Sequence, residues 1–145
     1  MVRAFVFPGQ GSQAVGMGKA LRDASQTARD VFGEVDEALK QNLSRLMLEG
    51  PSDELTLTEN AQPAIMAVSL AVVRVLEKDA GVRLADKAAY VAGHSLGEYS
   101  ALVAAGALAF EDAVRLVRRR GELMEEAVPA GRGTMAAVLG AEREA

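Results

Sequence analysis

The chain has 145 residues, half of them hydrophobic and a quarter charged, with a formal net charge of −4. That is enough for one domain with a real core, and the wrong charge for a nucleic-acid footprint. There is no cysteine and one histidine, His94, which excludes disulfides, thiolate chemistry, Cys-type zinc sites and a multi-His metal site and suits a reducing cytosol.

Residues 2–7, "VRAFVF", read as a buried strand that stops at the turn-forming "PGQGSQ". The apolar run ends too early, at Pro8, for a signal-peptide core. Residues 17–40 carry helical patterning, with Leu21, Val31, Phe32, Val35 and Leu39 among charges. Gly50-Pro51 breaks the chain, and "SDEL" at 52–55 offers an N-cap followed by acids, hence a short helix. The clearest helix is predicted over 61–80. Ile65, Val68, Val72, Val75 and Leu76 share its apolar face, Pro63 sits in its first turn, and Gly81 stops it.

"KAAYVAG" at 87–93 is a second strand. Residues 95–106 read as a small-residue helix, 111–128 as an amphipathic one ended by Pro129, and "TMAAVLG" at 134–140 as a third strand. Strands alternating with helices, and lacking a polar face, predict an α/β fold whose parallel sheet is covered on both sides. The longest apolar windows, near 64–73 and 101–110, are too short to span a membrane. The chain stops at "AEREA", where another helix would begin, so it is expected to be part of something longer.

Gly93-His94-Ser95-Leu96-Gly97 fits G-x-S-x-G with a strand before and a helix after. On such a turn the neighbouring chain passes too close for side chains at 93 and 97, and the Ser95 hydroxyl is pushed out above the sheet edge. The free N–H groups of the helix start favour negative charge there. The N–H of Leu96 could then donate to an oxyanion on an acyl group bonded to Ser95. The plainer reading is that Ser95 only caps a helix.

Gly9-Gln10-Gly11-Ser12-Gln13-Ala14 formally matches a dinucleotide fingerprint. That reading needs an acid ending a second strand; Asp30 has the spacing but lies in a helical stretch. The alternative sets this loop beside the serine turn, since parallel strands present their C-terminal ends on one edge, and makes the N–H of Gln10 a second oxyanion donor.

In "VRLVRRRGELM", Arg115, Arg118, Glu122 and Glu126 form one polar stripe by their spacing, whereas Arg120 shares a side with Ala113, Val117 and Met124. A cation on the apolar side needs an anion, from a ligand or from a protein carboxylate. Serine also needs a base. His94, adjacent along a strand end, should point away from Ser95, so it is read as an orienting or packing residue.

"FVFPGQGSQ", "QPA" at 62–64, "GHSLGEYSAL" and "RRRGELM", in this order, resemble the malonyl-CoA:acyl carrier protein transacylase family, over its N-terminal half. The resemblance implies an α/β-hydrolase-like core over 1–128 and the start of an inserted ferredoxin-like subdomain over 129–145. It implies cytoplasmic transfer of malonyl from coenzyme A to the phosphopantetheine thiol of acyl carrier protein, with no cofactor beyond the thioester substrate. Ser95 then matches the nucleophile, and Gln10 and Leu96 the oxyanion donors. Arg120 matches the arginine that grips the malonyl carboxylate; Gln62, His94 and Met124 line the substrate site. The family's catalytic histidine falls downstream of residue 145. Arg118 and Arg119 are candidates for contact with the acidic carrier. The competing readings are a serine esterase or thioesterase on the same fold, which has no use for an inward Arg120, and a catalytically incomplete fragment.

Overall fold

The computed structural model describes residues 2–129, 131–133 and 140. Its two strands, β1 (Ala4–Phe7) and β2 (Tyr90–Gly93), pair in parallel with Phe5 opposite Val91 and Phe7 opposite Gly93. Between them run α1 (Lys19–Ala24), α2 (Gln26–Leu39), α3 (Leu43–Glu49), α4 (Ser52–Thr56), α5 (Thr58–Lys78) and α6 (Leu84–Lys87). After β2 come α7 (Gly97–Ala104) and α8 (Phe110–Ala127). The architecture is mixed α/β and rich in helix. The expected third strand at 134–140 lies outside the described residues, apart from Gly140.

Coverage of the sheet on both sides does not hold among the described residues. Phe5, Phe7 and Val91 face the core, while Val6 is 72% and Tyr90 67% exposed. The helix that packs most on the strands, α7, lies on the phenylalanine side, where a Cβ on Gly93, the partner of Phe7, would run into it. Residue alternation along a strand then leaves every second side chain outside.

α5 is the spine. It contacts α2, α3, α4, α7 and α8, and its residues from Asn60 to Ala67 are all buried. The expected apolar face is therefore only part of what is covered. Ala64, Met66, Ala67 and Leu70 are buried at least as deeply as Ile65, whereas Val72 is 43% exposed and lines, with Val68 and Leu76, an open groove beside β1. The helix also starts three residues earlier than the pattern indicates, because the N–H groups of Asn60 and Ala61 both reach the carbonyl of Leu57. Pro63 thus sits inside α5, beyond its first turn.

Other boundaries shift for local reasons. The 17–40 stretch is broken at Ser25, whose extended backbone ends α1 and whose hydroxyl caps α2 by accepting from the N–H of Ala28 at 3.2 Å. The cap of α4 is Pro51, with Ser52 already helical. α8 matches its predicted span within a residue, and Ala113, Val114 and Val117 are fully buried against the core. No helix among the described residues is long and apolar enough to cross a membrane.

Candidate active site

Parallel pairing places the ends of β1 and β2 side by side, and the ladder continues one step further as the N–H of His94 donates to the carbonyl of Phe7 at 3.1 Å. The two loops that follow must then share one edge. At this joint the glycines are sterically required. A Cβ on Gly93 would lie 2.0 Å from the carbonyl carbon of Gly97, and one on Gly97 would lie 2.4 Å from the carbonyl oxygen of Phe7. Backbone stacked this tightly leaves Ser95 only a left-handed conformation, φ 54°, which costs a non-glycine residue on the order of 1 kcal/mol.

The turn is tied down by hydrogen bonds from the N–H of Gly97 to the carbonyl of His94 and from the N–H of Glu98 to the carbonyl of Ser95. Leu96 is fully buried and anchors the start of α7, while Ser95 is exposed. Neither the N–H of Leu96 nor that of Gln10 is taken by a backbone carbonyl among the described residues.

The glycine-rich loop lies against this turn. A Cβ on Gly9 would meet the His94 Nδ1 at 2.5 Å, so the exposed imidazole of His94 lies against Gly9. Ser12 donates to the carbonyl of Gly9 at 2.8 Å, and the Gln10 amide donates to the Thr58 hydroxyl at the start of α5 at 3.2 Å. Thr58 was not expected at the site. Asp30 lies in α2, not at a strand end, which removes the support for the dinucleotide reading.

Arg120 completes the cluster. Its guanidinium donates from Nη2 to the Ser95 Oγ at 3.0 Å and from Nη1 to the Gln62 Oε1 at 2.7 Å. Gln62 is fully buried and donates in turn to the Met124 sulfur at 3.4 Å. Ser95, Arg120, Gln62 and Met124 are thus one connected group. Arg115 pairs with Glu111 and Asp112, and Arg119 with Glu122 and Glu126. Arg120 has no carboxylate partner among the described residues.

Arg118 departs from expectation. Instead of standing in the solvated stripe, it is half-buried and donates to the side-chain oxygens of Asn60 and Gln41. Burial pushes its pKa below the ordinary arginine value. The missed signal was the pair of amides, Asn60 and Gln62, at the head of an otherwise apolar helix.

A serine raised at a sheet edge thus lies beside a guanidinium that has no carboxylate partner among the described residues, an arrangement chemically able to hold an acid-bearing acyl group next to a nucleophile. The sequence relationships agree: residues 4–145 match the model of the acyl transferase domain family, and the chain belongs to that family. Within it, the chain is 57% identical over 142 residues to the malonyl CoA-acyl carrier protein transacylase of Bacillus subtilis strain 168, covering 98% of this chain and 43% of that protein. The crystal structure of acyl-carrier-protein-S-malonyltransferase from Bartonella henselae superposes with a TM-score of 0.86 at 58% identity, over 88% of this chain and 40% of that one. A malonyl-transacylase in complex with its type II PKS acyl-carrier protein matches with a TM-score of 0.83 at 46% identity, over 90% of this chain and 41% of that one. The chain spans about two fifths of the length of these relatives.

Proposed function

We propose that this chain carries the nucleophile, oxyanion donors and acid-binding arginine of a transferase that moves malonyl from coenzyme A to the phosphopantetheine thiol of acyl carrier protein, in cytoplasmic fatty acid biosynthesis. One observation carries the reading: the Arg120 guanidinium sits on the Ser95 hydroxyl and, among the described residues, has only neutral hydrogen-bond partners. The names of the relatives supply the acyl group and the acceptor.

In the first half-reaction the Ser95 Oγ attacks the thioester carbon. The C–O bond forms, the C–S bond breaks, and the serine proton passes through a base to the departing thiolate. The backbone N–H groups of Gln10 and Leu96 hold the oxyanion. Arg120 grips the free carboxylate of the malonyl group as a planar fork, held in place by Gln62. In the second half-reaction the carrier thiol attacks the ester and Ser95 regains its proton. The family resemblance puts the base, a histidine, downstream of residue 145, while His94 lies with its Nδ1 against Gly9. No cofactor enters, because the thioester is already activated. On this reading residues 1–128 belong to an α/β-hydrolase-like core, and 129–145 begin a ferredoxin-like insertion.

Intact-mass spectrometry of the whole protein after exposure to malonyl-CoA tests this. A malonyl adduct that maps to Ser95 and is lost in Ser95→Ala is expected. An adduct elsewhere, or one that survives Ser95→Ala, contradicts it.

A further inference from the structure

α5 and α8 touch at a close crossing. A Cβ on Gly121 would fall 2.6 Å from the Cα of Glu59, so the two backbones meet there. At about 100° per residue, Arg118 and Arg120 stand on opposite flanks of Gly121, and Asn60 and Gln62 on opposite flanks of Glu59. Each arginine bonds to the amide on its own side, Arg118 to Asn60 at 3.1 Å and Arg120 to Gln62 at 2.7 Å.

The Arg118 flank is a closed network. The Asn60 Oδ1 also accepts from the Gln41 Nε2 at 3.2 Å, and the Asn60 Nδ2 donates to the carbonyl of Glu54 at 2.9 Å. Gln41, in the turn between α2 and α3, accepts from the Arg118 Nη2. Among the described residues no carboxylate forms an ion pair with the guanidinium, and its buried Nε has no hydrogen-bond partner. An apolar side chain would fill this space without the cost of half-burying a charge. What arginine adds is a rigid fork that fixes α8 to two separate elements in one orientation.

We propose that Arg118 is a positioning residue: it sets the rotation of α8 about the Gly121 crossing, and so delivers the Arg120 guanidinium to Ser95 on the other flank. The proposal rests on the reading of Arg120 as the malonyl anchor. Arg118 itself touches no substrate. Its loss should let α8 roll, weakening the grip on an acid-bearing acyl group and leaving attack on a neutral one intact.

The test compares malonyl-CoA with acetyl-CoA as donors for the intact protein carrying Arg118→Met, Arg118→Lys, Gln41→Leu or Arg120→Ala. Arg118→Met should reduce the malonyl-over-acetyl preference about tenfold, mainly through a higher KM for malonyl-CoA, with acetyl transfer within about twofold of the parent. Gln41→Leu should shift the preference the same way by a smaller factor. Lysine, a point charge without a fork, should not restore the preference. A merely structural role lowers both donors in proportion to the folded fraction, and that result overturns the proposal. If Arg118→Met does not fold, Gln41→Leu decides. If Arg120→Ala loses the preference while Arg118→Met and Gln41→Leu keep it, the positioning role is wrong and the functional reading stands. If Arg120→Ala keeps the preference, the functional reading fails and takes the proposal with it.

Discussion

Adding one methyl group at Gly97 tests why the serine turn has the sequence it has. In Gly97→Ala the new carbon would stand 2.4 Å from the carbonyl oxygen of Phe7 and 2.7 Å from that of Pro8. Ordinary contact is about 3.5 Å, so the overlap is about 1 Å. Both obstructing atoms are backbone, held by the parallel ladder and by the Gly9–His94 packing, and cannot swing aside as a side chain would. The cost should therefore reach the top of the overpacking range, about 3 kcal/mol. That is a large share of a typical domain's stability of roughly 5–15 kcal/mol. Gly93→Ala should be at least as severe, since its carbon would lie 2.0 Å from Gly97 and 2.3 Å from the Glu98 nitrogen. Urea denaturation should show a lowered midpoint at unchanged slope, and Ser95 acylation should fall as the turn opens. A Gly97→Ala protein within about 0.5 kcal/mol of the parent, still acylated at the parent rate, would refute the steric account of the motif.

Three further outcomes follow from the same geometry. Gly33 lies exposed within α2 with open space where a Cβ would go, so Gly33→Ala should raise stability by about 1 kcal/mol in the same urea assay, opposite in sign to Gly97→Ala. Gln62→Leu removes the buried acceptor of Arg120 and should lower the malonyl-over-acetyl preference about fivefold, read from paired kcat/KM values; the scale is about 1 kcal/mol for one hydrogen bond. Hydrogen bonds from the Ser25 and Thr27 hydroxyls hold the Asp79 carboxyl below the ordinary aspartate pKa. Its stabilising contribution is present above the unfolded pKa and is lost as pH falls through the lowered folded value. Asp79→Ala should therefore flatten the loss of stability seen between about pH 5 and pH 2 in thermal melts; an unchanged acid slope would count against the link between α5 and α2.

The serine joint was legible because its constraint is local. Two glycines at 93 and 97, a strand before and a helix after are all contiguous, and the left-handed Ser95 follows from them. Arg120 was legible from helical phase, since Ala113 and Val117 on its side are fully buried. The same phase misjudged Arg118. The crossing at Gly121 and the turn holding Gln41 supply polar partners that a pattern of hydrophobic residues cannot register. α5 was found but its burial was misread: a helix enclosed by five others has no single apolar face at its head, so Ala64 and Met66 count as much as Ile65. The four-residue α6 carries no period to detect, and the open face of the sheet depends on which side the helices choose.

The most direct test of the account is the donor preference of Arg120→Ala. Losing one charge-assisted contact to the malonyl carboxylate is worth about 2 kcal/mol, so the ratio of kcat/KM for malonyl-CoA over acetyl-CoA should fall roughly 30-fold in the intact protein. Acetyl transfer through Ser95 should persist. A preference left at the parent value would mean that the guanidinium beside Ser95 does not hold the substrate's acid, and the malonyl reading of this site would be wrong.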